Sequence, residues 1–399
     1  MKSECDIVKL QKEYVLPTYA PELLFVKGEG SYLWDQHGKK YLDFTSGIGV
    51  CGIGHSNPDV AKAVSNQLHT LLHVSNLYMN ENQPQLAEKL IKHSFGKGAV
   101  FFANSGAEAN EGMIKFARKY GSEKGRFEII AMDDSFHGRT LATLAATGRS
   151  KYREGFKPDM PGFIHVPFND IQAVESAITP KTCAILVEPV QGEGGVIPAN
   201  TEYLKALRTL CDKNDILLMF DEVQCGMGRT GKFFAWQHYG VEPDLFSLAK
   251  ALGNGFPIGA FVVKDKYRNV LEVGTHASTF GGTPLACSAA IAVIDYFDKN
   301  DVLENCTKQS VYCIAKLEKL KEKYSCIQNI RGMGLMLGVV LDRPAQKLRK
   351  LIEDMGILTL TAGENVLRLL PPLTVTEDEI DAVVSAIDHS IEVMLKQDI

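Results

Sequence analysis

No C-x-x-C pair occurs in this sequence, and the nine cysteines are scattered, Cys306 and Cys313 being the closest two. That spacing points to neither a zinc ribbon nor a redox dithiol. It fits reduced, partly buried thiols in a reducing compartment. No apolar run is long enough to span a bilayer. The first residues, MKSECDIVKLQKEYVLP, carry Lys2, Glu4, Asp6 and Lys9 where a signal peptide needs an apolar core. Charge of one sign is also missing. Lys and Arg number 43 against 48 Asp and Glu, a net charge of -5. This leaves no electrostatic footprint for nucleic acid and no polybasic run for an anionic membrane. Internal repeats and low-complexity linkers are absent too. The expectation is a cytoplasmic protein with no membrane or nucleic-acid partner.

What the chain has is core. At 399 residues, 45% of them hydrophobic, it is long enough for a large domain with a smaller one attached. Apolar runs recur at 99–103 (AVFFA), 128–132 (EIIAM), 184–187 (AILV), 216–220 (ILLMF) and 258–263 (IGAFVV). Helical patterns follow, as at 107–120 and 202–214. Strands alternating with helices predict an α/β fold with a mostly parallel sheet covered on both faces. The runs are continuously apolar, as doubly buried strands are. The ends differ. Residues 28–45 read as an antiparallel hairpin turning near His37-Gly38. Beyond about 295 come charged helical stretches (308–323, 346–355, 378–396) and a short strand at 333–340. The expected division is 1–50 as a segment and hairpin belonging to a small α+β domain, 51–294 as the large domain, and 295–399 as the rest of the small one.

The candidate chemistry sits where these strands end. Asp221 and Glu222 follow the run ILLMF. An isolated Asp there is usually a helix cap or turn residue. Yet in open α/β sheets ligands bind at the carboxyl ends of strands. Lys250, in LFSLAKALGNG, has apolar neighbours. An exposed lysine is the ordinary case, but one in such surroundings loses its proton easily and serves as a Schiff-base nucleophile. In FFANSGAEANE a strand runs into Ser105-Gly106 and a helix follows, offering free N–H groups to an anion. The stretch does not match a Walker loop or G-x-G-x-x-G. In SFHGRT, Phe136 offers a ring face and Arg139 a carboxylate clamp. An anion cradle, an aromatic, an Asp and a Lys are the parts that pyridoxal phosphate requires.

With these motifs in view the chain resembles the class III, fold type I, pyridoxal-phosphate aminotransferases. The likeness runs from TYAPELLFVKGEGSYLWDQHGKKYLDF to VLRLLPPLTVTEDEID, through NSGAEANE, FHGRT, EPVQGEGGV, FDEVQCGMGRTG, LAKALGNGFPIGA and HASTFGGTPLAC. It implies pyridoxal 5'-phosphate on Lys250, with Asp221 at the ring nitrogen. Val223 and Phe136 would pack on the two ring faces, and Gln224 near the ring hydroxyl. Gly106 and Ala107 would hold the phosphate. Thr279 would reach the phosphate of a second subunit, with Ser278 beside it near substrate, so the resemblance implies a homodimer with shared sites. Arg139 would take a substrate carboxylate. Arg368 would take the α-carboxylate of glutamate, and Glu193 would mask Arg368 when the other substrate is bound. One departure is Thr283 before Pro284, where Asn is more usual; its side chain is expected to serve the turn. No metal is implied.

The resemblance implies transfer of an ω-amino group to 2-oxoglutarate. Related enzymes that use free ornithine hold its α-amine with aromatic hydroxyls at positions matching Thr18 and Ile48 here. Their absence favours an acylated donor, N2-acetyl-L-ornithine or N-succinyl-LL-diaminopimelate, with 4-aminobutyrate or ornithine as the alternative. A ligand-sensing module of a transcription regulator would need a DNA-binding segment, and none precedes residue 20. A catalytically dead scaffold would be expected to have lost Lys250 or Asp221.

Overall fold

A computed structural model describes residues 4–397. Its centre is a seven-stranded sheet in the order Gly98–Ala103, Gly259–Lys264, Leu245–Leu248, Leu217–Asp221, Thr182–Val187, Glu128–Met132, Phe163–Val166. Strand Gly259–Lys264 runs antiparallel to both its neighbours. The pairings from Leu245–Leu248 to Phe163–Val166 are all parallel. Every residue of Thr182–Val187 and Leu217–Asp221 is buried. Helices cover both faces, so no solvated face selects an alternating pattern, and the sequence reads as unbroken apolar runs. Truncating a side chain as deep as Phe220, at 0% exposure, is worth about 3–5 kcal/mol in such a core. That packing is what holds the strand ends still.

Helix Gly106–Gly121 follows the first edge strand, and Thr201–Asn214 precedes Leu217–Asp221. Helix Pro284–Lys299 leads away from the sheet. Thr283 is its N-cap residue, but the side chain makes no capping bond; its Oγ1 donates to the Leu72 carbonyl at 2.9 Å. It therefore ties two segments together, beyond serving its own turn.

The N-terminal hairpin is present with its turn at Gly38, φ +81°. It pairs Tyr32–Asp35 with Lys40–Asp43, and Phe25–Glu29 adds a third strand. Its fourth strand, Ile357–Leu358, comes from the C-terminal region and runs parallel to Lys40–Asp43. A further antiparallel sheet holds Ile327–Met333, Met336–Leu341, Val366–Leu369 and Leu360–Ala362. The single strand expected at 333–340 is a correction. The chain reverses at Gly334, φ +58°, so Met333 ends one strand and Met336 begins the next. Apolar periodicity does not register a reversal made by glycine alone. This sheet is anchored to the large one by Arg229, 1% exposed, whose Nη1 donates to the carbonyls of Leu335 at 3.2 Å and Pro371 at 2.5 Å. Pro371 follows strand Val366–Leu369, which carries Arg368.

All eight cysteines whose side chains are described are free, seven of them buried; Cys5 lies outside that set. Among the described residues no helix is long and apolar enough to cross a membrane, and no three His, Cys, Asp or Glu gather as metal ligands.

Candidate active site

A cavity of about 380 Å³ opens at the carboxyl ends of the parallel strands. Its walls include Gly106, Ala107, Phe136, Arg139, Glu193, Asp221, Val223, Gln224 and Lys250. These nine sequence candidates therefore meet in one place. Arg368 stands directly behind the wall, 2% exposed and joined to Glu193 and Gln224.

Asp221 ends strand Leu217–Asp221 and is 3% exposed. The parallel register sets it beside Ser247, whose hydroxyl donates to Oδ1 at 3.3 Å. The Val223 N–H donates to the same oxygen at 3.0 Å. Asn110 Nδ2 donates to Oδ2 at 2.7 Å, and His137 Nδ1 lies 2.8 Å from it. Its neighbour Glu222 points the other way. It accepts the N–H groups of Ala235 and Trp236, each at 2.7 Å. Burial pushes the Glu222 carboxyl up to about 8 against the pull of those two donors. Of the two adjacent acids, one serves the cavity and the other staples a loop.

Lys250 follows strand Leu245–Leu248 and holds a left-handed backbone, φ +45°. A non-glycine residue in that region is uncommon and costs of order 1–3 kcal/mol. Burial draws its ammonium below the ordinary value; Glu193 opposes this and Arg368 adds to it. An amine whose charged form burial disfavours suits a nucleophile and a proton carrier.

Ser105 caps helix Gly106–Gly121, its hydroxyl accepting the Glu108 N–H at 3.1 Å. The N–H groups of Gly106 and Ala107 have no intrahelical acceptor and sit on the cavity wall. A Cβ at Gly106 would stand 2.8 Å from Val223 Cγ1. Glycine here lets backbone and Val223 approach the same space, which makes an anion cradle beside an apolar platform. Phe136 is fixed by its N–H, donated to Glu188 Oε1 at 2.9 Å; Glu188 Oε2 accepts the Gly192 N–H at 3.2 Å. Burial raises the Glu188 carboxyl, with His137 opposing.

At the other end Arg368 Nη1 reaches Glu193 Oε1 at 2.5 Å and Gln224 Oε1 at 3.1 Å. Arg368 Nε is buried without a partner. Burial raises the Glu193 carboxyl, but the charge and hydrogen bond of Arg368, with Lys250 and Gln224, together outweigh it and the net shift is downward. Arg139 is exposed and faces rings rather than acids, its Cζ 4.0 Å from the Tyr152 centroid and 5.6 Å from that of Phe136.

Ser278 and Thr279 are not in this cavity. They line a separate depression with Ser75, Asn76 and His276. Asn104, on the cavity wall, links the two through a 3.4 Å contact to Ser278 Oγ. Thr18 and Ile48 do not line the cavity either; Val50 does. Sequence reading missed Asn110, Ser247 and Glu188, and it gave His137 no role. Only the sheet register and the packing of helix Gly106–Gly121 bring these to Asp221 or Phe136.

The donor set suits a phosphorylated, aldehyde-bearing aromatic with a basic ring nitrogen: an anion cradle, two apolar faces, a buried carboxylate and an amine. Residues 16–391 match the family model Aminotransferase class-III. The chain is 51% identical to an acetylornithine aminotransferase of Methanocaldococcus jannaschii, over 97% of this chain and 98% of that one. The chain is a class III aminotransferase. The N-acetylornithine aminotransferase of Stenotrophomonas maltophilia has a similar structure, at 35% identity and TM-score 0.85, covering 98% of this chain and 100% of that one. So does the ornithine aminotransferase of Toxoplasma gondii, at 31% identity and TM-score 0.94, covering 100% and 97%. The fold of this aminotransferase is fold type I, and its family carries pyridoxal 5'-phosphate.

Proposed function

We propose that this aminotransferase moves the δ-amino group of N2-acetyl-L-ornithine to 2-oxoglutarate. The products are N-acetyl-L-glutamate 5-semialdehyde and L-glutamate, as in arginine biosynthesis in the cytoplasm. The observation that carries the reading is the pairing of Glu193 with Arg368, while Arg139 on the same cavity pairs with no acid among the described residues.

Bound pyridoxal phosphate supplies an electrophilic carbonyl and a ring that withdraws electrons from the carbon bearing the amine. The chain does the rest. Gly106 and Ala107 would hold the phosphate by their N–H groups, with Thr279 of a second copy completing that hold in a homodimer. Phe136 and Val223 would confine the ring, with Gln224 towards its hydroxyl. Asp221 would keep a proton on the ring nitrogen. Lys250 Nζ is the amine that would bind that carbonyl and the base that would take and return the proton at the substrate carbon. While Glu193 neutralises Arg368, the arginine left for a donor carboxylate is Arg139, so the δ-amine is the end that reaches Lys250. When Glu193 turns away, Arg368 accepts the α-carboxylate of glutamate or 2-oxoglutarate.

Acetylation matters because free ornithine brings an α-ammonium into the pocket, and an unpaired buried cation is costly. Val50 on the cavity wall offers it no acceptor. An amide needs only neutral partners, such as Ser278 of the second copy. One missing charged hydrogen bond is worth about ten- to a hundredfold in specificity. The test is kcat/KM for N-acetylornithine, N-succinyl-LL-diaminopimelate, ornithine and 4-aminobutyrate at equal 2-oxoglutarate. The acetylated donor should lead ornithine and 4-aminobutyrate by that factor. Parity with either would reassign the protein as an ω-aminotransferase of another donor.

A further inference from the structure

We propose that Tyr152 is a positioning residue for substrate carboxylates, holding the Arg139 guanidinium at the cavity by a cation–π contact. The inference rests on Arg139 being the carboxylate clamp.

Arg139 has no hydrogen bond or ion pair with an acid among the described residues. Its guanidinium instead sits over the Tyr152 ring, Cζ to centroid 4.0 Å. Tyr152, on the short helix Ser150–Arg153, is itself held at two points. Its hydroxyl accepts from Arg149 Nη1 at 3.3 Å. Its ring meets the Phe136 ring edge-on, centroids 5.9 Å apart at 89°. Arg149 in turn lies 3.5 Å from Asp134 Oδ1. The chain of contacts runs Asp134, Arg149, Tyr152, Arg139, and its last member lines the cavity.

The chemistry favours a ring here over a carboxylate. An acid would orient Arg139 but would also compete with the substrate for it, as Glu193 does at Arg368. A ring face attracts the cation through its quadrupole and leaves its hydrogen-bond donors free. Arginine loses rotamer freedom when it clamps a carboxylate, and a preset side chain avoids part of that cost. Tyr152 therefore keeps Arg139 oriented with its donors free in both half-reactions, whereas Arg368 is available in only one.

The test compares Tyr152→Leu, Tyr152→Phe and Arg139→Ala in the cofactor-loaded enzyme. The readouts are the Kd of glutarate, an unreactive dicarboxylate, by calorimetry; kcat and KM for N-acetylornithine; and single-turnover kcat/KM for pentylamine, which has no carboxylate. Tyr152→Leu should raise the glutarate Kd and the N-acetylornithine KM about tenfold. It should leave kcat and the pentylamine value within about twofold, since no transition-state contact is removed. Tyr152→Phe keeps the ring and should stay within about threefold of wild type throughout. Wild-type glutarate binding in Tyr152→Leu, with binding lost in Arg139→Ala, would overturn the proposal and spare the clamp. Loss of pentylamine turnover in step with the carboxylate substrates would also overturn it, leaving Tyr152 a purely structural residue. Undiminished glutarate binding in Arg139→Ala would remove the clamp itself.

Discussion

At one end of the cavity Asp221 shares its two oxygens among Ser247, the Val223 N–H, Asn110 and His137. At the other, Arg368 leans on one carboxylate and one amide, and leaves Nε buried without a partner. Both groups are almost wholly buried, so both bear a desolvation cost. The first is saturated by four groups: Ser247 on a strand, Asn110 on a helix, and Val223 and His137 on loops. The second is held by Glu193, which sits on a loop after strand Val190–Gln191. On the proposed mechanism, the group needed unchanged in every step is the over-determined one, and the group that would serve two substrates in turn is the exchangeable one.

The largest expected effect lies at the rigid end. Lys250→Ala should abolish multiple turnover, by roughly a millionfold if it acts as the covalent nucleophile. The variant should retain cofactor through the cradle at Gly106 and Ala107, as read by its absorbance. Turnover near wild type would identify another lysine as the nucleophile and dissolve the contrast.

Asp221→Ala comes next. It removes a preorganised charge, and the chemical step should slow about a thousandfold in single-turnover measurements. A loss under about tenfold would mean that Asp221 is a strand-end cap and that its four partners serve only the fold.

At the exchangeable end the effect should be smaller and lopsided. Glu193→Ala should leave the glutamate half-reaction intact or faster and slow the acetylornithine half-reaction about tenfold. Stopped-flow measurement of each half-reaction separates them. Equal losses would show that the ion pair is as structural as the cluster at Asp221.

The smallest effect links the two ends. Burial lowers the Lys250 pKa and the Glu193 charge opposes that shift. The neutral amine is the reactive form, so a lowered pKa extends reactivity to lower pH. In the cofactor-free protein, acylation of Lys250 should be half-maximal below the pH typical of an exposed lysine. Glu193→Gln should move that midpoint lower still. A midpoint moving up would break the electrostatic connection between gate and lysine.

Lys250, Asp221, Glu193, Arg368 and the cradle at Gly106 and Ala107 are legible in the sequence. Each is tied to a strand end, a helix start or a motif of the family, and these are local features. The alternation of buried runs with helices likewise carries the α/β sheet. Local pattern does not say which of Asp221 and Glu222 faces the cavity. Nor does it show the reversal at Gly334 or the assembly of Asn110, His137 and Ser247 around one carboxylate. Tyr152 is invisible to it as well, since only folding brings its ring to Arg139. Ser278 and Thr279 lie apart from this chain's own cavity, and the roles proposed for them would need a second copy. The order of residues alone settles which side chains and backbone donors are available, because strand burial, helix starts and glycine freedom are properties of short stretches. Folding in three dimensions settles which of them meet, because sheet register and helix packing set distances between residues that are remote along the chain.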